Sequence, residues 1–254
     1  TKTAEQVIAE LRSLYKHGWR GPVFFVDDNF IGNKKKLKKE ILPAIAEWMN
    51  NNNFPFIFNT QASIDISDDR ELMRLMVKAG FDRVFVGIET PNEESLNECA
   101  KFHNRNRDMI FCVKKMHNFG LQVQGGFIIG FDNDPVSIFE RQILFIQKSG
   151  IVVAMVGLLN ALRGTKLYQR LEKENRLVDC ETGDNTDCSI NFKPIMNHKT
   201  LIKGYKKVIS TIYSPAEYHK RVMTFLREYR PLHKKLPKIQ AVYVVAFLKS
   251  LLFL

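Results

Sequence analysis

The feature that most constrains this chain is a rhythm. Short apolar runs rich in β-branched and aromatic residues recur about thirty residues apart, each followed by a helix-forming stretch, and thirty residues is the length of a βα unit. The runs cover 22–27, 55–59 (continuing toward Ser63), 83–89, 123–130 and 150–159. Asp28, Asn59, Glu89, Asp132 and Asn160 stand at or just past their C-terminal ends, and the one longer interval, before Asp132, holds two helices. Strands that are apolar on both faces belong to a buried parallel sheet. Alternation of such strands with helices predicts an α/β fold, either a parallel barrel or a doubly wound sheet. The right-handed crossover rule then gathers all strand C-termini on one rim.

Between the strands, helices are expected over 3–17, 33–50, 67–79, 92–101, 106–118, 135–149 and 165–175. Thr3 and Gln6 form a capping box for the first. Gly18, Gly80 and Gly120 end the first, third and fifth. From Leu177 to Pro194 the pattern lapses into a polar loop. Helices over 198–213 and 215–229 follow, then a Lys-rich linker between Pro231 and Pro237, then an apolar terminal helix. The expected organisation is a barrel over 1–176, a linker over 177–197 and a basic helical extension over 198–254.

The charge follows the same division. Residues 199–254 carry 12 Lys and Arg against 2 Asp and Glu, whereas the residues before them carry 26 against 25. A basic tail on a neutral body suits phosphates of nucleic acid or of a membrane surface, or is a solvated helical face. The chain has 254 residues, 45% of them hydrophobic, which excludes a disordered or collagen-like polymer. Cys99, Cys112, Cys180 and Cys188 show no CxxC spacing, so a reducing, cytoplasmic setting is expected, with membrane association open. The start at Thr1 and the end within an apolar run suggest a piece of a longer chain. The terminal run is shorter than the ~20 residues needed to cross a bilayer.

The rim residues are polar for such apolar strands. Asp27, Asp28 and Asn29 can hold an ammonium group, a metal or a ribose, or can simply cap and turn the chain. Asn59, Gln61 and Ser63 alternate along an extended segment and so share one face. Glu89 needs a partner if its charge is to be buried. Gly125, Gly126 and Gly130 mark close approach of a ligand or a bulge in the sheet. Asn160, Arg163, Gly164 and Thr165 form a polar strand-to-helix turn. Among phosphate and metal motifs, GxGxxG, a Walker A loop and HExxH are all missing. No Lys ends a strand, no Ser sits in a nucleophile elbow, and all six His lie away from the strand ends. A rim that binds but lacks a nucleophile or an acid–base pair points to chemistry supplied by a cofactor.

The motifs Val26-Asp27-Asp28-Asn29-Phe30, Gly87-Ile88-Glu89-Thr90-Pro91, Gly126-Phe127-Ile128-Ile129-Gly130-Phe131-Asp132 and Gly157-Leu158-Leu159-Asn160-Ala161-Leu162-Arg163-Gly164-Thr165 resemble the radical S-adenosylmethionine (SAM) superfamily. Within it, the chain is similar to proteins with a cobalamin-binding domain and a family-specific C-terminal domain, the group that includes hopanoid C-2 methylase. The resemblance implies a partial parallel (βα)6 TIM-like barrel in which these are the second to sixth strands. The first strand, with a CxxxCxxC loop for a [4Fe-4S] cluster, and a cobalamin domain would then lie upstream, so no catalytic or metal ligand is assigned here.

The resemblance also implies SAM-binding roles. Asp27, Asp28 and Asn29 stand where the family contacts the methionine amino group, with Asp-Asp-Asn replacing the commoner Gly-Gly-Glu. Asn59, Gln61 and Ser63 face the cofactor. Glu89 lies near the ribose or carboxylate, Gly130 and Asp132 beside the adenine, and Asn160 and Leu162 along the adenine ring. The implied reaction is reductive SAM cleavage followed by methylation of an unactivated carbon in a small-molecule or lipid-like substrate, with a partner protein as reductant. The basic helices would contact a membrane surface. A radical SAM enzyme acting on RNA, or a barrel kept for ligand binding alone, are the competing readings.

Overall fold

The computed structural model describes residues 2–178, 189–231 and 241–252. Cys180, Cys188 and the loop residues Gly183, Asp184, Asn185 and Asp187 lie outside the described residues, as does the linker around Pro237. Strands β1 (Gly21–Phe25), β2 (Phe56–Gln61), β3 (Phe81–Glu89), β4 (Gln122–Ile129) and β5 (Ala154–Leu158) form one sheet in chain order. Every pairing is parallel. The sheet curls into half of a TIM-like barrel, so the partial parallel barrel expected from the sequence is the fold observed.

Helix α1 (Ala4–Lys16) has the capping box, with Thr3 and Gln6 satisfying each other's backbone N–H groups. The expected single helix over 33–50 is instead built from pieces: a 3-10 turn (Phe30–Asn33), α2 (Lys34–Lys36), a π turn (Leu37–Ile41) and α3 (Leu42–Asn51). The π turn rotates the face presented to the sheet and puts Leu37 and Ile41 in the core beside Leu42 and Ile45. Helices α4 (Arg70–Ala79), α5 (Glu93–Glu98), α6 (Met109–Asn118), α7 (Ile138–Ser149) and α8 (Lys166–Lys173) complete the βα units. Gly80 ends α4 at φ +105°, a conformation that favours glycine.

Burial divides the strands by parity. Phe58, Thr60, Val84, Val86, Ile88, Val123, Phe127, Ile129 and Val156 point to the convex face and are buried under helices. Phe25, Phe30, Phe58 and Phe81 pack with ring centroids 5.1–5.5 Å apart. The concave face is a different surface, taken up below.

The extension supplies α9 (His198–Ile212), α10 (Pro215–Glu228) and α11 (Ala241–Leu252). Helices α9 and α10 belong to the body of the molecule. Strand β5 is an edge of the sheet, and an unpaired edge invites further strand pairing. Here that edge is met by tyrosines. Tyr213 Oη donates to the Ala154 carbonyl at 2.8 Å and accepts from the Ala154 N–H at 3.2 Å. Tyr205 Oη donates to the Val156 carbonyl at 3.3 Å. Behind them the fully buried Arg221 donates to the carbonyls of Ile212 and Val152 and to Gln147, and stacks on Tyr213 and Tyr218. Tyr213→Phe should lower stability to urea by about 1 kcal/mol, the usual net value of such bonds. It should also raise hydrogen exchange at the Ala154 amide; unchanged protection there would show that the hydroxyl does not hold the edge.

His117 of α6 is fully buried, edge-on to Phe225 of α10, and neither ring nitrogen has a hydrogen-bond partner among the described residues. Burial pushes its pKa down to about 4, with Glu228 opposing and Lys114 assisting. The unfolded chain takes up this proton near pH 6.5 and the folded chain does not. The contribution to stability is therefore complete above about pH 6.5 and is lost as pH falls toward 4, on the order of 3 kcal/mol across the window. Urea titrations of His117→Leu should show that slope removed; an identical slope in variant and parent would assign it to other groups.

Candidate active site

The strand registers line up the concave face in rows. Phe24, Asn59, Arg83 and Gln122 form the lowest, then Gln61, Phe85 and Gln124, then Gly87, Gly126 and Met155, with Ile128 and Gly157 at the top. Phe24, Ile57 and Met155 remain 48%, 44% and 62% exposed on it, a large apolar surface for a folded chain. A cavity of about 790 Å3 opens between the upper rows and α9, within the range that holds small molecules. Gln61, Phe85, Gly87, Glu89, Gly126, Ile128, Met155 and Gly157 line it from the sheet.

Glycine makes the room. A Cβ on Gly126 would lie 2.8 Å from the Phe85 ring, so Phe85 lies flat across that position. A Cβ on Gly157 would meet nothing within 4 Å and would only reduce the open space. A Cβ on Gly87 would come within 2.5 Å of Glu89 Oε1, which shows that the Glu89 carboxylate folds back over Gly87.

Glu89 has a φ of +65°, unusual for a residue with a side chain. The β3–β4 register shifts between Gly87 and Glu89. Together the shift and the left-handed turn aim the carboxylate into the cavity rather than along the sheet. There it pairs with Lys101 Nζ at 2.7 Å and stays only 13% exposed. The partner expected for this charge is therefore present.

The other expected site residues divide. Gln61 lines the cavity, and Asn59 lies on the same concave face two residues below it. Asn29 and Ser63 bind each other across the ends of β1 and β2, through Asn29 Nδ2 to Ser63 Oγ at 3.1 Å and Ser63 N–H to Asn29 Oδ1 at 3.1 Å. Ser63 also donates to Asp65, which is paired with Lys34 at 2.6 Å. Burial would raise the Asp65 pKa, but Lys34 and Ser63 outweigh it and hold the carboxyl below the ordinary range. Ser63 keeps the alternation of Asn59 and Gln61, half-buried between the buried Ala62 and Ile64, and is still extended where the 3-10 segment Ile64–Asp68 begins. Asp27 and Asp28 are exposed at the rim, and Asp27 borders a separate hollow of about 430 Å3 with Phe24 and Val26.

Three expected contacts are otherwise engaged. Asp132 sits between two arginines: Arg176 reaches both of its oxygens, at 2.6 and 2.8 Å, and Arg170 approaches at 2.9 Å. Its burial is outweighed by those cations, which hold its pKa low. Asn160 accepts from the Asn191 N–H at 3.0 Å and anchors the segment after the loop. Leu162 is 68% exposed beyond the strand and does not line the cavity. Gly130, at φ +110°, gives its N–H to Asp134 at 2.9 Å.

That last contact exposes residues the sequence reading missed. Asp134 accepts from the N–H groups of Gly130 and Phe131 and from Ser95 Oγ, and burial raises its pKa against those bonds. Glu98 accepts from the N–H groups of Asp132 and Asn133 and from Arg170. The two carboxylates fix the loop after β4. Also missed were Met155 and the α9 residues Tyr205, Lys206, Ile209 and Ser210, which line the cavity. Strand alternation from Gly157 points to Met155; nothing in the sequence pairs α9 with it.

Residues 1–146 match the radical SAM superfamily, and residues 165–254 match a domain of unknown function, DUF4070. The chain belongs to the radical SAM superfamily. It is 42% identical over 219 residues to an uncharacterized methyltransferase of Synechocystis sp., covering 86% of this chain and 41% of that protein. It is 36% identical over 220 residues to hopanoid C-2 methylase of Rhodopseudomonas palustris, covering 87% and 41%. The chain thus spans about two fifths of the length of these relatives. In fold it is similar to the radical SAM methyltransferase TsrM of Kitasatospora setae, solved with cobalamin and a [4Fe-4S] cluster, at a TM-score of 0.59 and 15% identity, covering 94% of this chain and 50% of that one.

A radical SAM barrel must accept an adenosyl group and an amino acid. The glycine-cleared cavity and the carboxylate and amide groups of Glu89 and Gln61 fit such a ligand. A [4Fe-4S] cluster does not fit the described residues. Cys99 is half-buried on the α5 side, its thiol pushed up by burial; Cys112 is buried in α6; and no group of three metal-ligating side chains converges among the described residues. Gly87→Ala should leave urea stability within about 1 kcal/mol, since only the end of a flexible side chain must move. Calorimetric affinity for SAM should fall several-fold as the Glu89 carboxylate is displaced, and full affinity would separate Glu89 from the ligand.

Proposed function

We propose that this chain is the SAM-holding barrel of a cobalamin-dependent radical SAM C-methyltransferase acting on a lipid-like substrate. The observation that carries the reading is Glu89, held in a left-handed turn with its carboxylate folded over Gly87 into an apolar, glycine-cleared cavity. The sheet side of that cavity carries no Ser, Cys, His or Lys. Such a chamber binds and shields reactive chemistry without supplying it.

In this reading SAM, when bound, supplies the adenosyl group and the methyl donor chemistry of the family. Glu89 accepts from the ribose hydroxyls, and the Gln61 amide donates to the carboxylate end. Asp27 and Asp28, which are exposed at the neighbouring rim, receive the methionine ammonium. Phe85, Ile128 and Met155 keep water from the reacting carbon. Support for methyl transfer and a lipid substrate comes from the relatives: one is named a methyltransferase, the other a hopanoid C-2 methylase. The cluster ligands and the cobalamin site belong, in this reading, to segments other than the described residues, and a preceding strand would pair along the outer edge of β1.

A membrane surface fits the extension. No helix among the described residues is long and apolar enough to cross a bilayer. Helix α11 nonetheless presents Val244, Val245, Phe247 and Leu248 to solvent, and the basic charge of residues 199–254 favours anionic lipid.

The test compares two ligands by equilibrium dialysis. SAM carries the ammonium; 5′-methylthioadenosine keeps the adenosyl part and lacks it. The double variant Asp27→Asn, Asp28→Asn should lose about tenfold in SAM affinity and keep its affinity for methylthioadenosine. Glu89→Gln should weaken SAM. SAM binding unaffected by either variant would end the rim assignment, and no SAM binding by the parent chain would end the reading.

A further inference from the structure

We propose that α9 forms one wall of the substrate chamber and that Lys206 selects substrates carrying an acidic group. This rests on the proposed function given above, with the substrate on the α9 side of the cavity that holds SAM, and names the class of molecule that side takes.

The two sides of the cavity are chemically unlike. The sheet side is mainly apolar, with Phe85, Ile128 and Met155 around the glycines. The helix side brings Tyr205, Lys206, Ile209 and Ser210, residues spaced so that Tyr205 and Ile209, and Lys206 and Ser210, stack one helical turn apart. The wall is positioned by the edge contacts, since Tyr205 Oη is bonded to the Val156 carbonyl and Tyr213 to both backbone groups of Ala154. Lys206 is exposed on the cavity lining, beside an anchored neighbour.

Lys206 also stands without a counter-ion. Its neighbour Lys207 pairs with Glu140, and Lys220 pairs with Glu217, but Lys206 forms no ion pair or hydrogen bond among the described residues. Glu89, the carboxylate lining the same cavity, is already paired with Lys101. Among the described residues, the ammonium of Lys206 is thus an unpaired cation on this cavity's lining. A long lysine stem lies along apolar surface and keeps its charge at the polar end. A ligand that buries an apolar body against Met155, Ile128 and Ile209 and ends in a carboxylate or phosphate satisfies both halves of the site. Glu89 at the far side disfavours the reversed orientation.

The chain itself tests this, with cis-parinaric acid as a fluorescent probe and parinaryl alcohol as its uncharged counterpart. The acid should bind at least tenfold more tightly than the alcohol. K206A should abolish that preference and K206R should keep most of it. K203A removes an exposed lysine of the same helix that does not line the cavity and should change nothing. Displacement of the probe by dodecanoate and by dodecyl phosphate decides which acid is preferred; displacement by neither overturns the proposal. An acid preference that survives K206A, or one equally reduced by K203A, also overturns it. SAM titration of the same proteins separates the two readings. A parent chain that binds SAM but shows no Lys206-dependent acid preference sinks only this proposal. A parent chain that shows that preference but never binds SAM sinks the proposed function.

Discussion

A parallel sheet that curls through only half a barrel leaves concave surface open and an edge with unpaired backbone. Most features of this molecule answer that constraint. The convex face is filled conventionally by phenylalanine, valine and isoleucine under the helices. The β5 edge is met by tyrosine hydroxyls from an extension that would otherwise look like an appendage. A hydroxyl can both donate and accept, so Tyr213 satisfies the N–H and the carbonyl of Ala154 without adding a strand. The concave face is left open, and that openness is the site.

The same edge contacts connect packing to function. They hold α9 against the sheet at the height of Met155 and Gly157, so the helix that stabilises the fold also walls the cavity. Arg221, buried behind Tyr213, commits its guanidinium to carbonyls of Ile212 and Val152, which ties α9, α10 and the turn before β5 into one support. On the other side, the Gly87–Glu89 register shift and the left-handed Glu89 place a carboxylate where regular β geometry would have placed it elsewhere. Local backbone strain of this kind persists only where the surroundings over-determine it. Here those surroundings include Lys101 and the absence of a side chain at Gly87.

Much of the fold was legible in advance because strand and helix signals are local. The runs of apolar residues, the capping box at Thr3 and the glycine stop at Gly80 each depend on residues within one or two turns. That Gln61 and Glu89 stand at strand ends facing the concave side was legible for the same reason, since alternation and strand-end position are local properties. The partners of Asp132 were not, because Arg170 and Arg176 come more than thirty residues later. No local pattern matches Ser63 with Asn29, across the ends of two strands. The π turn at Leu37–Ile41 left no mark in the spacing of its lysines.

By itself, the sequence determined the order of strands and helices, their parallel arrangement, the basic character of the extension and the absence of an intrinsic nucleophile at the rim. These follow from periodicity, chirality and composition, which act over short distances or over the whole chain. Only the tertiary structure decided which polar rim residues are free, which are spent on one another, and that α9 lies across the edge of β5 to finish the cavity. Those outcomes depend on pairs such as Asp132 with Arg176, and Tyr213 with Ala154, that are far apart in the chain. Their partners are chosen by packing once the sheet has curled, and no local pattern encodes that choice.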